Sequence, residues 1–417
     1  MWIIYNLSIF LGQIFVFIFA RFNHRVKKWR DGRKGLFERI EEKIDRSKKH
    51  TWFHFASLGE FEQGRTVLEA YREHFPEKRI IATFFSPSGY EVRANYTKAD
   101  YVFYLPADTP GNARKFIDLI NPEEVFVVKY EFWYNYFKTL HQRHIPLYLV
   151  SVIFRKGQSY FKWYGGIFRT TLTYVTHYFA QNQESVSLLH RIGLNNVSLT
   201  GDTRFDRVAN LSRQDRPVTV VSEFVGQSKV LVAGSTWLPD EELIMSLRQI
   251  YPEWKIIIAP HLINDEHLLE IESRFKGSIR FSAINADIQH VEAEQNAVLI
   301  VDNMGMLSYL YRYADVAYIG GGFGAGIHNI LEAATYGVPV IFGPAYHKFQ
   351  EAKDLIGAKA AFSVHNLQDL VEVFEQMQDP AFKKEAGQRS YLYVQQQAGA
   401  TGKIMDYLLH KALSGTL

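Results

Sequence analysis

Two stretches of this chain put reactive side chains where a backbone turn would deliver them to a ligand. The first is His54-Phe55-Ala56-Ser57-Leu58-Gly59-Glu60, where an apolar run ends in a small-residue turn and a helix begins near Glu60. A carboxylate at the mouth of such a turn takes a proton from a substrate hydroxyl when it lies within hydrogen-bond reach. The same residue would also serve as a first-turn acid complementing the helix dipole, and the segment alone leaves both open. The second stretch runs from Gly320 to Glu332, with glycine at 320, 321, 322, 324 and 326 ahead of Ile327-His328-Asn329-Ile330-Leu331-Glu332. Glycine-rich backbone entering a helix offers N–H groups to a phosphate. No Gly-Lys-Ser/Thr follows, so this is not a Walker loop, and it lies too late in its half of the chain for the dinucleotide fingerprint. Glu332 falls one turn beyond Asn329 on the same face, placed to accept hydrogen bonds from ribose hydroxyls.

Weaker signals cluster at similar turns. Ser235 and Thr236 follow the apolar run Val230–Gly234, where hydroxyls suit a phosphate or a helix cap. Pro260 and His261 end the run Lys255–Ala259, and Met304-Gly305-Met306 follow Val298–Val301, with Gly305 permitting close backbone contact with a flat base. Glu131, after Val125–Val128, and Arg204, in Gly201-Asp202-Thr203-Arg204-Phe205-Asp206, carry charge to the rim of the first half. Residues of these types more often form structural ion pairs.

The elements that must position these residues read as α/β. Apolar runs at Trp52–Ala56, Arg79–Phe84, Tyr101–Leu105, Val125–Val128, Pro146–Val152 and His177–Ala180 alternate with amphipathic stretches. The pattern resumes at Val230–Gly234, Lys255–Ala259, Val298–Val301, Asp315–Ile319 and Val338–Phe342. Uninterrupted apolar strands spaced by helices imply parallel sheets covered on both faces. Two such units in series imply a ligand cleft between the carboxyl ends of facing sheets. The expected organisation is an anchor at 1–20, a Rossmann-like acceptor domain at 21–210, a linker at 211–228 and a Rossmann-like nucleotide domain at 229–417. Lys383–Leu413 reads as helical and able to pack back across the first domain.

Composition narrows the class. The chain has 417 residues, 47% of them hydrophobic, and a formal net charge of +3, too small for the basic face of a nucleic-acid-binding protein. The absence of cysteine excludes thiolate zinc sites and cysteine catalysis. Residues 1–20 carry no charge, and as a helix rising about 1.5 Å per residue they roughly match a hydrocarbon core of about 30 Å. Arg21, Arg25, Lys27, Lys28, Arg30, Arg33 and Lys34 follow, opposed only by Asp31. That asymmetry predicts an N-terminal membrane anchor with the body on the cytoplasmic side. An interfacial helix lying on the inner leaflet, with its collar against anionic lipids, satisfies the same pattern. Tyr160-Phe161-Lys162-Trp163-Tyr164 through Phe168-Arg169 is a further aromatic and basic candidate for a membrane or acceptor surface.

Taken in order, these segments resemble the family of 3-deoxy-D-manno-octulosonic acid (Kdo) transferases. The resemblance runs from the anchor and Ala-Ser-Leu-Gly-Glu through Thr83–Gly89, Tyr104–Asp108, Glu131-Phe132-Trp133, Gly201–Asp206 and Ala233–Thr236. It continues to Met304-Gly305, Gly326–Glu332 and Phe342-Gly343-Pro344. It implies a GT-B fold of two facing Rossmann-like domains, CMP-Kdo as donor and a lipid A precursor as acceptor. No metal and no other cofactor are implied. It makes Glu60 the catalytic base of an inverting displacement and places Glu131 and Arg204 where the transition state is assisted. CMP would be held by Ser235, Thr236, Pro260, His261, Met304 to Met306 and His328 to Glu332. Arg204 stands where the family carries Lys, and no Arg separates Pro260 from His261. A transferase or epimerase using a UDP-sugar, or a non-catalytic membrane-tethered nucleotide-sugar-binding protein, would share the late glycine loop.

Overall fold

The computed structural model describes residues 2–214, 216–286 and 297–414. The first sheet contains β1 (His50–Phe55), β2 (Arg79–Phe84), β3 (Tyr101–Tyr104), β4 (Pro122–Val128), β5 (Leu147–Val152), β6 (His177–Ala180) and β7 (Val197–Leu199). The second contains β8 (Val230–Thr236), β9 (Lys255–Pro260), β10 (Ser278–Arg280), β11 (Val298–Ile300), β12 (Val316–Ile319), β13 (Val340–Phe342) and β14 (Ala361–Ser363). All described pairings are parallel, in the orders β3-β2-β1-β4-β5-β6-β7 and β10-β11-β9-β8-β12-β13-β14. The strand order therefore reverses between β1 and β4 and between β8 and β12, and ligands of open parallel sheets bind at the carboxyl ends beside such switch points.

Side-chain alternation explains why β1 reads as one apolar run. Trp52 joins Ile81, Val125, Val127 and Leu149 on one face, while Phe53 and Phe55 join Ile80, Phe84, Phe126 and Val150 on the other. Both faces are covered, so neither set can be polar. The second face is closed by the helix Leu58–His74 and by the C-terminal helix Ala400–Leu413, which contributes Ile404, Met405 and Leu408. β7, β10 and β14, which no apolar run announces, are three-residue strands at the sheet edges with mostly half-exposed side chains.

The chain divides into two compact units, Met1–Arg207 with Ala398–Leu417, and Val208–Gln397. The expected boundaries shift accordingly. Residues 398–417 belong to the first unit, because Ile404, Met405 and Leu408 fill its apolar face. The expected linker 211–228 is largely helical, with Thr203–Arg213 passing from one unit into the next and Thr219–Val225 burying Val220, Val221 and Phe224. Asp215, within that stretch, lies outside the described residues.

The N-terminal helix Trp2–Phe19 has a mean hydropathy of 2.0, buries none of its residues and is long and apolar enough to cross a membrane. It nevertheless makes polar contacts with the first unit. Tyr5 donates to Asp108 Oδ2 at 2.6 Å, and Asn135 Nδ2 donates to Asn6 Oδ1 at 2.9 Å. Asp108 also accepts the N–H groups of Asn135 and Tyr136, capping the helix Tyr134–Gln142 from a distant loop. Arg33, of the basic collar, turns inward over the Trp29 ring at 3.7 Å and donates to the carbonyls of Trp29, Phe85 and Leu105.

The closure by the C-terminal helix carries a titratable group. His177 on β6 stacks on Tyr407 at 4.2 Å and shares a 2.8 Å hydrogen bond with Ser198. Burial, then the nearby Lys411 charge, lowers its pKa to about 4. The unfolded imidazole titrates at about 6.5, so between these values the unfolded chain binds the additional proton. Stability is therefore complete above that range and is lost as pH falls toward 4. Between pH 7 and 4.5 the wild type is expected to lose on the order of 2 kcal/mol from this group in urea unfolding. His177→Phe, which keeps a ring on Tyr407, should show a flatter dependence, and an unchanged one would remove His177 as its cause.

Candidate active site

In the first unit the residues singled out from the sequence stand after the carboxyl ends of β1, β4 and β7. β1 ends at Phe55, and the helix Leu58–His74 starts two residues before the expected position, with Ser57 extended at its N-cap. The Ser57 hydroxyl donates to the Glu60 carboxylate and accepts no backbone N–H as a helix cap. That bond fixes the direction of the carboxylate, while Glu60 stays half-exposed.

After β4, Lys129 adopts a left-handed φ of 64°, turning Tyr130 and Glu131 out of the sheet. Such a conformation is costly for a residue with a Cβ and tends to persist where the surroundings demand it. Glu131 Oε2 lies 3.8 Å from His54 Nε2, and both atoms are buried without a hydrogen-bond partner. His54 is held through Nδ1 by Thr83 Oγ1 at 2.8 Å, and Trp52 Nε1 donates to the same hydroxyl at 2.7 Å. If Thr83 gives its own proton to Nδ1, the remaining ring hydrogen sits on Nε2, facing Glu131.

Arg204 donates through its backbone N–H and Nε to the two oxygens of Asp202, at 2.9 and 2.8 Å, and Gln63 donates to Asp202 Oδ1. Burial raises the pKa of the Tyr130 phenol; Arg155 and Arg204 pull it down, and Glu60 and Asp202 push it up. The carboxylate proposed as a base and the guanidinium of Arg204 therefore act on one phenol.

In the second unit the site stands at the carboxyl ends of β8, β9, β11 and β12. Ser235 takes a left-handed φ of 54° and is half-exposed. Thr236 is buried and donates to Glu241 Oε1 at 3.0 Å, so its hydroxyl serves the fold. The strand β9 ends at Pro260, and His261 N–H donates to the Thr236 carbonyl at 2.9 Å. After β11, Gly305 has a φ of 92°, Met304 is exposed, and Asn303 Nδ2 lies 2.9 Å from Met306 Sδ.

The glycine loop is tighter than its composition suggests. A Cβ on Gly320 would overlap the backbone of Ser235 and Thr236, and one on Gly322 would overlap Gly343. Gly321, with a φ of 88°, donates its N–H to Asp240. The loop does not enter the expected helix at His328–Asn329: only one turn, Leu331–Ala334, follows. A single turn has little dipole, so any anion here would depend on backbone N–H groups. Asn329 Nδ2 donates to Glu332 Oε1 at 3.1 Å, bringing two expected nucleotide contacts together, while Ile330 and Leu331 are buried.

Trp237 and Asp240, which sequence reasoning passed over, organise this end of the sheet. The buried Asp240 carboxylate accepts from Trp237 N–H at 2.9 Å, Gly321 N–H at 3.0 Å and Tyr318 hydroxyl at 2.9 Å. Burial raises its pKa, against the pull of those three donors. The available signal was positional: both follow directly on Ala233-Gly234-Ser235-Thr236.

Two doubly wound parallel sheets furnished in this way define a GT-B-like glycosyltransferase fold. The same fold occurs in UDP-GlcNAc 2-epimerase from Neisseria meningitidis, with a TM-score of 0.60 at 16% identity over 87% of this chain and 100% of that one. MurG of Acinetobacter baumannii gives 0.53 at 11% identity over 87% of this chain and 100% of that one. A family model described as 3-deoxy-D-manno-octulosonic-acid transferase matches residues 31–207. The 3-deoxy-D-manno-octulosonic acid transferase of Aquifex aeolicus is 29% identical over 342 residues, covering 79% of this chain and 86% of that one. The Haemophilus influenzae enzyme of that name is 24% identical over 383 residues, 86% of each chain. Over most of its length the chain is thus similar to Kdo transferases, which are glycosyltransferases.

Removing the Asp240 carboxylate tests its role in the second unit. Asp240→Ala leaves the Gly321 N–H and the Tyr318 hydroxyl without their acceptor, which should cost about 3 kcal/mol. A urea midpoint within error of wild type would show that the loop is held by other contacts.

Proposed function

We propose that this protein is a Kdo transferase, which takes its sugar from CMP-Kdo and delivers it to a hydroxyl of a lipid A precursor at the inner leaflet. Glu60 accepts the hydroxyl proton as the oxygen attacks the anomeric carbon. The new C–O bond forms as the bond from that carbon to the CMP phosphate breaks. CMP leaves with the electron pair, and the configuration inverts. Arg204 supplies positive charge near the reacting centre, and Glu131, facing His54, assists the transition state from the adjacent strand end. Ser235, Pro260, His261, the Met304–Met306 turn, His328, Asn329 and Glu332 bind the nucleotide. The observation that carries this reading is the Ser57–Glu60 hydrogen bond, which holds a half-exposed carboxylate after β1, beside the strand reversal.

The N-terminal helix is the membrane attachment in this reading. Tyr5 and Asn6 bond to Asp108 and Asn135, which favours a helix lying along the bilayer surface with Ile3, Leu7, Phe10 and Phe15 in lipid. Alkaline carbonate should then release the protein from membranes, whereas retention in the pellet would indicate a spanning helix.

Transfer from CMP-Kdo to a tetra-acylated lipid A precursor, in detergent with EDTA, tests the chemistry. Wild type should form product, and Glu60→Gln should lower kcat by about 10²–10⁴ while CMP binding persists. Equal turnover would remove Glu60 as the base. A wild type that binds CMP but transfers nothing would point to another acceptor, and turnover of a UDP-sugar would favour the chemistry of its epimerase fold neighbours.

A further inference from the structure

Three aromatic rings from three strand ends meet in the second unit. Trp237 Nε1 donates to His328 Nε2 at 3.2 Å, so the indole and the imidazole lie edge to edge as one extended platform. His261 stacks on both, with ring centroids 4.7 Å from Trp237 and 4.4 Å from His328 and interplanar angles of 26° and 24°. One side of the platform is thus occupied. A cavity of about 380 Å³ is lined by Trp237, His328, Pro239, Asp240, Phe323 and the loop residues Gly321 and Gly324 to Gly326; His261 is not part of its lining. The cavity therefore opens on the side of the platform away from His261.

We propose that this cavity receives the sugar of the donor, with an apolar face of the pyranose ring against the Trp237–His328 platform. The inference rests on the donor reading above and adds the sugar's own binding site. Its volume falls within the usual range for small-ligand sites, about 300–1,000 Å³, and its lining matches their chemistry of apolar walls with few polar groups. Aromatic faces suit the C–H surface of a saturated ring, and the backbone of the glycine loop is left to meet hydroxyl and carboxylate oxygens. Of the nucleotide contacts assigned above, His328 is in the lining, as part of the platform where sugar and nucleotide meet, whereas those after β8, β9 and β11 and at Asn329 and Glu332 lie outside it, which leaves the space to the sugar. Because His328 Nε2 accepts the indole N–H, the imidazole is neutral in this arrangement; burial and then the neighbouring His261 keep its pKa low, which maintains that state. Asp240, whose three donors are already named, fixes Trp237 and Gly321 relative to each other and so sets the width of the cavity.

The test uses the full chain in detergent and calorimetric titration with CMP and with CMP-Kdo, acceptor absent. Trp237→Ala should weaken CMP-Kdo about tenfold and leave CMP within about twofold, whereas Trp237→Phe, which keeps a ring face without the N–H, should fall between it and wild type. Ala325→Trp fills the cavity from the opposite wall without altering the platform and should weaken only CMP-Kdo. Equal losses for both ligands in Trp237→Ala, with no selective loss in Ala325→Trp, would overturn the sugar site and assign the platform to the nucleotide. Unchanged CMP-Kdo affinity in both variants would overturn it as well. A wild type that binds CMP but not CMP-Kdo would refute the donor reading itself, an outcome separate from any effect of the variants.

Discussion

The buried carboxylate of Asp240 sets what the second unit can do. It accepts the Trp237 N–H at the start of the helix Leu238–Ile250, the Gly321 N–H in the loop after β12 and the Tyr318 hydroxyl within β12. A buried carboxylate needs such donors to offset its desolvation, and here the donors come from both sides of the strand reversal. The two turns are thereby tied at a fixed separation, close enough that only glycine fits at 320, while Gly343 imposes the same limit at 322. The glycines that suggest a pliant phosphate loop are a packing requirement, and the ligand meets a surface formed before it arrives. Preorganised groups of this kind avoid an ordering cost on binding.

The first unit solves the same problem with less rigid means. Its candidate site residues are held by side-chain hydrogen bonds, Ser57 donating to Glu60 and Arg204 to Asp202, and by one left-handed residue, Lys129, that redirects the chain after β4. His54 and Glu131 approach each other without closing a hydrogen bond, leaving a buried imidazole nitrogen and a carboxylate oxygen 3.8 Å apart. A small change in the Glu131 rotamer would join or separate them, whereas the platform of the second unit has no comparable freedom.

Much of this was legible in the sequence because parallel strands buried on both faces must be apolar throughout. The runs at Arg79–Phe84 and His177–Ala180 are strands with those bounds, and the others differ by a few terminal residues. The edge strands β7, β10 and β14 escaped because an edge of three half-exposed residues needs no apolar run. Glu60, Arg204, Asn329 and Glu332 announced themselves through local motifs. His54, Trp237 and Asp240 did not, since their partners lie 29 to 91 positions away in the chain and no local pattern records them. The hydroxyl of Thr236, a residue type suited to phosphate, donates to Glu241 five positions on, a partner that the turn motif does not record.

The return of residues 398–417 to the first unit bears on the order in which the protein is made. The helix Ala400–Leu413 closes the face formed by Phe53, Phe126, Tyr148 and Phe179, yet it leaves the ribosome after the whole of Val208–Gln397. Throughout that interval the first unit carries an uncovered aromatic surface, while its apolar N-terminal helix is already available to lipid. Domains made first generally fold first, but here the first to appear is the last to be completed.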